Sequence, residues 1–390
     1  MGLLLLRYGE IALKGQNRTY FYRKLRQNMR RCLAANGITG KVWQEGQRIY
    51  LETDQMDSAI EAVRRVFGVV SLSPVQVVPA EFDAIAQEAV QVACRAGLDP
   101  HHSFRVRARR ADKSFVPISP EIERQVGAAV VDATGARVNL SEAADLEIGV
   151  EVQPGRALVF GQIIPGPGGL PVGSGGRVVA LLSSGIDSPV AIWLMMKRGC
   201  SVIPVHFSAR QGRQAEQVEA IVEVLNRYSY GTLLKPIFFA HQDLLGPTLA
   251  QLRGIHAERW TCLFCKRAML IKAAEVAEEE GAAAIVTGDS LGQVASQTLT
   301  NLEVVSYGIA KPILRPLIGL DKTEIMAMAR RIGTYEASIQ EAHVCPYLPA
   351  RPLTQSSLAK LKTVLAQMHL HDEPFPMATA GGHEGLDRDV

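Results

Sequence analysis

Only six of the 390 residues are cysteine, and they are scattered through the chain. That excludes a disulfide framework, and a reducing compartment leaves the thiols open to metal or sulfur chemistry. Long apolar runs are also missing. None approaches the roughly 20 residues needed to span a bilayer, and the Leu3–Leu6 run, followed at once by Arg7, is too short for the core of a secretory signal. The chain therefore reads as cytoplasmic, with no membrane partner. A large net charge is lacking too, since 42 Lys and Arg against 39 Asp and Glu give +3. What remains, 47% hydrophobic and 21% charged residues over this length, describes a globular chain of two or three domains.

The charge is unevenly placed. Residues 1–177 hold 22 basic against 18 acidic side chains and the rest 20 against 21, and within the first 31 residues eight basic side chains face one acid, Glu10. Lys14, Arg18 and Arg23 belong to this stripe, which suits a polyanion. Its elements read as a strand (Leu3–Arg7), a basic helix (Thr19–Ala35), strands near 41–43 and 48–52, a helix at 56–66 and a strand ending at Pro74. After a helix at 82–96 comes Phe104-Arg105-Val106-Arg107-Ala108-Arg109, where period-two alternation buries one face and lines the other with guanidinium groups. Arg110 and Lys113 extend that patch. A helix capped by Ser119 and strands at 146–152 and 157–164 follow.

Residues 166–176, rich in glycine, read as a hinge. Beyond it strands near 178–182, 201–207, 233–239 and 282–287 alternate with helices near 189–198, 214–228, 265–280 and 322–332, the pattern of a doubly wound parallel sheet. Leu182-Ser183-Ser184-Gly185-Ile186-Asp187-Ser188 lies where the first strand turns into a helix, with Ser188 expected as cap and Pro189 as first helical residue. Helix-start amides and the helix dipole attract phosphate. No lysine follows the turn, which excludes the Walker loop. Asp187 can hold Mg²⁺ or orient the turn. Asp321 and Glu324 form a capping box around Lys322. Residues 371–390 read as lacking fixed structure.

The turn resembles the SGGxDS signature of PP-loop ATP pyrophosphatases, with Ser184 at the usual first glycine. Together with Arg7-Tyr8-Gly9-Glu10-Ile11-Ala12-Leu13-Lys14-Gly15, Gly169-Leu170-Pro171-Val172-Gly173, Gly288-Asp289-Ser290-Leu291-Gly292-Gln293 and Arg315-Pro316-Leu317-Ile318-Gly319-Leu320-Asp321-Lys322, it is similar to the ThiI family of tRNA 4-thiouridine synthetases. The resemblance implies a ferredoxin-like α+β domain (1–56), a THUMP RNA-binding domain (57–165), a linker (166–177) and a PP-loop adenylation domain (178–370). It implies that ATP adenylates the C4 oxygen of tRNA uridine 8, which sulfur then replaces, and that thiamine thiazole synthesis can draw on the same sulfur. Asp187, Lys322 and Cys345 take catalytic roles by this resemblance. ATP falls to residues 182–185, 187 and 188 of the turn, and to His206, Phe207, Arg267, Gly288 and Gln297. tRNA falls to Lys14, Arg18, Arg23, Arg105, Arg107, Arg109 and Arg110, with the THUMP domain at the acceptor end. Asp289 stands where the family more usually has Glu.

Cys262-Leu263-Phe264-Cys265, followed by Lys266 and Arg267, opens a helix, and Cys345 lies downstream. The chain ends too soon for the rhodanese-like domain of commoner bacterial members, so the resemblance points to archaeal-type relatives in which a C-x-x-C and a distant cysteine bind an iron–sulfur cluster. Zinc completed by His343 or His256 and plain dithiol chemistry on Cys345 stand as alternatives. The basic neighbours Lys266 and Arg267 are expected to keep the thiols deprotonated. Cys32, Cys94 and Cys200 read as packing residues. The sulfur donor is a cysteine desulfurase persulfide or sulfide, and a homodimer is compatible with the sequence. An amidating PP-loop ligase and an inactive tRNA-binding protein are the competing functions. The first leaves the basic half and the C-x-x-C without purpose, and Ser184 alone supports the second.

Overall fold

The computed structural model describes residues 1–208, 212–340, 345 and 347–368 and divides into two units, Met1–Gly169 and Leu170–Val390. The predicted tail, and His343, lie outside the described residues. Among the described residues no helix is long and apolar enough to cross a membrane.

The first unit comprises β1 (Gly2–Tyr8), α1 (Arg18–Ala35), β2 (Lys41–Glu45), β3 (Arg48–Thr53), α2 (Met56–Val63), β4 (Val69–Pro79), α3 (Phe82–Arg95), β5 (Ser103–Arg110), α4 (Ser119–Thr134), β6 (Arg137–Val138), β7 (Leu146–Gln153), β8 (Arg156–Phe160) and β9 (Ile164–Pro165). The strands form one sheet in the order β2-β3-β1-β4-β8-β7-β5-β6, with β9 also on β4. Pro74 does not end its strand as expected. β4 runs on to Pro79, its first half pairing with β1 and its second with β8, so the two predicted domains share a sheet. α2, which the sequence places in the second domain, packs on α1. The predicted 157–164 strand is broken into β8 and β9.

β1 is central, and Leu4, Leu5 and Leu6 are all buried because both faces of the sheet are covered there. α1 turns Leu25, Met29, Cys32 and Leu33 inward, at helical spacing, and leaves its basic side chains outside. Gly149 pairs with Phe160, whose ring lies where a Cβ at 149 would sit, 2.1 Å away. α4 begins at Ser119 with Ile118 as N-cap, one residue earlier than expected, so Pro120 is its second residue. Cys94 is exposed, against expectation, because α3 buries Ile85, Ala89, Val92 and Ala93 and turns position 94 to solvent.

The second unit comprises β10 (Arg177–Leu181), α5 (Asp187–Lys197), β11 (Ser201–Ser208), α6 (Arg213–Asn226), β12 (Ile237–Ala240), α7 (His241–Gly254), α8 (Thr261–Glu279), β13 (Ala284–Val286), α9 (Leu299–Ser306), β14 (Ile313–Leu314), α10 (Lys322–Ile332), α11 (Tyr335–Ser338) and α12 (Leu358–Gln367). Its sheet is wholly parallel in the order β12-β11-β10-β13-β14. Such a sheet is buried on both faces, which explains the near-continuous Val and Ile of β10 and β13. Val179, Val205 and Ile285 share a core with Leu263 and Phe264 of α8. The chain reverses its direction of travel between β10 and β13, and the loops leaving their carboxyl ends carry the turn and Gly288.

The glycine-rich stretch makes backbone hydrogen bonds within each unit. Gly166 and Gly168 donate to Val70 and Val69 in the first unit, and Gly173 and Gly175 both donate to Gly199 in the second.

Candidate functional site

α5 starts at Asp187, with Ile186 as N-cap, two residues earlier than the sequence suggests. Ser188 therefore does not cap the helix. Its hydroxyl accepts from the Ser183 amide at 2.8 Å and lies 3.0 Å from the Ser183 hydroxyl, which accepts from the Gly185 amide at 3.3 Å. These serines hold the turn in shape by themselves. Gly288, at the end of β13, comes so close that a Cβ there would lie 2.8 Å from the Ser188 nitrogen and 2.9 Å from its Cα. Only glycine lets the two loops meet.

Asp187 opens α5 and α10 packs against that helix, which brings Lys322 from its first turn. The Lys322 ammonium donates to one Asp187 oxygen at 2.5 Å and Gln293 donates to the other at 2.8 Å. The Asp187 carboxylate thus ties the head of α5 to the head of α10 and to the loop after β13. The capping box forms as expected, with Asp321 accepting from the Thr323 and Glu324 amides and Glu324 accepting from that of Asp321.

Asp289 is buried and gathers four donors: Lys266 at 2.9 Å, Thr287 at 2.7 Å, Gln297 at 3.2 Å and Arg315 at 3.4 Å. Burial pushes its carboxyl up, but Lys266, Thr287 and Arg315 together outweigh that and hold it below the ordinary carboxylate value. Gln297, expected at ATP, is one of these donors. Arg267, expected at ATP, is buried and donates to the carbonyls of Val304 and Tyr307, clamping the end of α9.

His206 lies at the end of β11, with Nδ1 2.8 Å from the Leu182 carbonyl and a buried, unpartnered Nε2. Donation to that carbonyl fixes the proton on Nδ1 and leaves Nε2 as an acceptor. Burial lowers its pKa. Phe207 stacks on Phe239 and packs against the core.

Cys262 and Cys265 stand one helical turn apart at the start of α8, which begins at Thr261, before the predicted start at Cys265. Cys345 is exposed and close enough for its charge to raise both other thiols. The expected activation by basic neighbours is overturned. Burial dominates, raising Cys262 and pushing Cys265 up to about 12, while Lys266 pulls only weakly the other way. Among the described residues no three His, Cys, Asp or Glu side chains form a group that could hold a metal. His256 is exposed and takes no part. His241, at the head of α7, escapes the sequence reading. Its Nε2 lies 3.0 Å from the Cys265 sulfur. A lone histidine after a short strand carries no spacing signal, so only the fold could bring it here.

On the first unit, Arg23, Lys24, Arg26, Arg30 and Arg31 line a hollow along α1. Arg18 is exposed and Lys14 pairs with Glu10 at 2.9 Å. The Arg strand is only partly available. Arg107 and Arg109 are exposed, but register sets Arg105 opposite Glu147, which takes its Nε at 2.6 Å. Arg110 has the parity of the core face and bonds to the Phe115 carbonyl, so it closes a loop and does not extend the patch.

A family model described as thiamine biosynthesis protein (ThiI) matches residues 173–370, the ThiI ferredoxin-like domain residues 3–73 and the THUMP domain residues 79–160. A probable tRNA sulfurtransferase of Thermococcus kodakarensis is 41% identical over 367 residues, 93% of this chain and 96% of that protein. Another, of Methanocaldococcus jannaschii, is 38% identical over 374 residues, 94% and 97% of the two chains. A crystal structure of a 4-thiouridine synthetase in complex with RNA and bound ATP superposes with a TM-score of 0.81 at 32% identity, covering 95% of each chain. Extensive identity along nearly the whole length, matching domains in the same order and a shared fold place this chain in the ThiI family.

Proposed function

We propose that this protein is an ATP-dependent tRNA sulfurtransferase that converts uridine 8 to 4-thiouridine. The observation carrying this reading is the meeting of Asp187 and Lys322 beside a self-tied serine turn at the carboxyl end of β10. Uridine's C4 oxygen leaves poorly, so it must first become a phosphate ester. The turn and the start of α5 receive the phosphates of ATP. Asp187 orients the turn and is the carboxylate able to meet Mg²⁺ arriving on them. The C4 oxygen attacks the α phosphorus, pyrophosphate leaves, and Lys322 stabilises the charge that develops on the phosphates. Sulfur then attacks C4 and AMP departs with the former uridine oxygen.

Cys262, Cys265 and Cys345 offer thiols, the ligand chemistry of an iron–sulfur cluster, but in this structure they do not form a three-ligand group, so no step is routed through a cluster. The attacking sulfur is hydrosulfide: free sulfide supplies it directly, and a desulfurase persulfide supplies it when a thiolate such as that of Cys345 attacks the inner sulfur, leaving a mixed disulfide and releasing hydrosulfide. Arg107, Arg109 and the basic face of α1 meet phosphate and sugar, since double-stranded RNA is read mostly by shape. A test is to incubate purified protein with ATP and measure AMP and pyrophosphate with and without tRNA. Formation of both only when tRNA is present is expected, and tRNA-independent turnover would favour a small-acid ligase.

A further inference from the structure

We infer that His241 is a positioning residue of the sulfur site, fixing the Cys265 side chain and linking it to the segment that carries Cys345. The inference deepens the reading above and rests on it. Three observations converge. The His241 Nε2 lies 3.0 Å from the Cys265 sulfur. The ring is buried, so this contact is shielded from water. It also meets the Tyr347 ring, two residues beyond Cys345, at 5.1 Å between centroids and an interplanar angle of 80°. One imidazole thus touches α8 through a hydrogen bond and the Cys345 segment through an edge-on aromatic contact.

The position of His241 in the fold explains why it can do this. It is the first residue of α7, directly after β12, and α7 packs against α8. The sheet therefore fixes where the imidazole starts, and helix packing fixes where it points. The Cys265 thiol has staggered alternatives at χ1. A single hydrogen bond between the thiol and a ring held by the fold selects one of them.

The test uses the full chain and Co²⁺ as a thiolate probe, read by sulfur-to-cobalt charge-transfer absorption under anaerobic conditions. His241→Phe keeps an aromatic ring against Tyr347 but removes the nitrogen, and His241→Gln returns a hydrogen-bonding group near the Nε2 position. His241→Phe is expected to weaken Co²⁺ binding about 10–100-fold, the usual cost of removing an outer-sphere partner. It should also raise the AMP formed per 4-thiouridine. His241→Gln should recover most of both. Equal Co²⁺ affinity in His241→Phe and the parent, or a Gln variant as weak as Phe, overturns the positioning role. Cys265→Ser separates the two levels. If it thiolates tRNA normally, the sulfur-site reading itself fails. If it is inactive while His241→Phe matches the parent, only the present inference fails.

Discussion

The Lys322 ammonium and the Asp187 carboxylate, 135 residues apart in sequence, share a 2.5 Å ion pair at the head of α5. The pair joins the first residues of α5 and α10. Replacing Lys322 by Met should lower tRNA-dependent AMP formation about 10²–10³-fold, the range for removing one group that stabilises developing charge. The lysine side chain is 41% exposed. Its pairing therefore contributes under about 1 kcal/mol to folding, and thermal unfolding should scarcely move.

Gly288→Ala tests the close approach of the two loops. The new methyl meets backbone atoms of Ser188 at under 3 Å, so the turn or the β13 loop must shift. A stability loss of about 1–3 kcal/mol is expected, as for other overpacked positions. The KM for ATP should rise about tenfold or more, since a small misplacement of binding groups is costly. Unchanged ATP kinetics and unfolding would show that this approach does not shape the nucleotide site.

The Arg strand divides by register. Arg107→Ser and Arg109→Ser should weaken tRNA binding at every sequence and reduce the salt slope by about 0.7–0.9 for each phosphate that is no longer neutralised. Arg105→Ser instead leaves Glu147 without its partner and should appear mainly as reduced stability. Filter binding across a salt series and thermal unfolding separate these outcomes.

The division between those arginines marks the limit of what is legible in the sequence. Alternation in residues 104–109 locates the strand and its two faces, because period-two geometry is local. It cannot place Glu147 opposite Arg105, since that depends on a parallel pairing 42 residues away. The nucleotide turn is legible for the same local reason, and its serines differ only in role, tying the turn where capping of α5 is expected. Pro74 misleads because proline usually ends a strand, yet β4 continues to Pro79 and joins two half-sheets. His241 and the Asp289 hub are beyond reach, as both are assembled from separate crossovers of the parallel sheet. The thiols of α8 are misjudged because adjacent positive charge is visible in a sequence and burial is not.

Asp289 should leave a signature in acid. Its carboxyl is held below the ordinary value of about 3.9, so its contribution to stability is fully present above that pH. The contribution disappears as pH falls through the lower folded value. Asp289→Asn should cost about 3 kcal/mol at neutral pH, because Lys266 and Arg315 lose their buried counter-charge. The variant's deficit should shrink toward acid, as urea unfolding at neutral and acidic pH can show. A deficit independent of pH would mean that packing alone is affected.

The central claim is that nucleotide cleavage at the turn makes the uridine oxygen displaceable. Nucleoside analysis of tRNA incubated with sulfide, ATP and either the parent protein or Asp187→Asn tests it most directly. The account predicts 4-thiouridine at position 8 with the parent only when ATP is supplied, and about 10²–10³-fold less with the variant, in step with AMP. Formation of 4-thiouridine without ATP, or at the parent rate by Asp187→Asn, would contradict it.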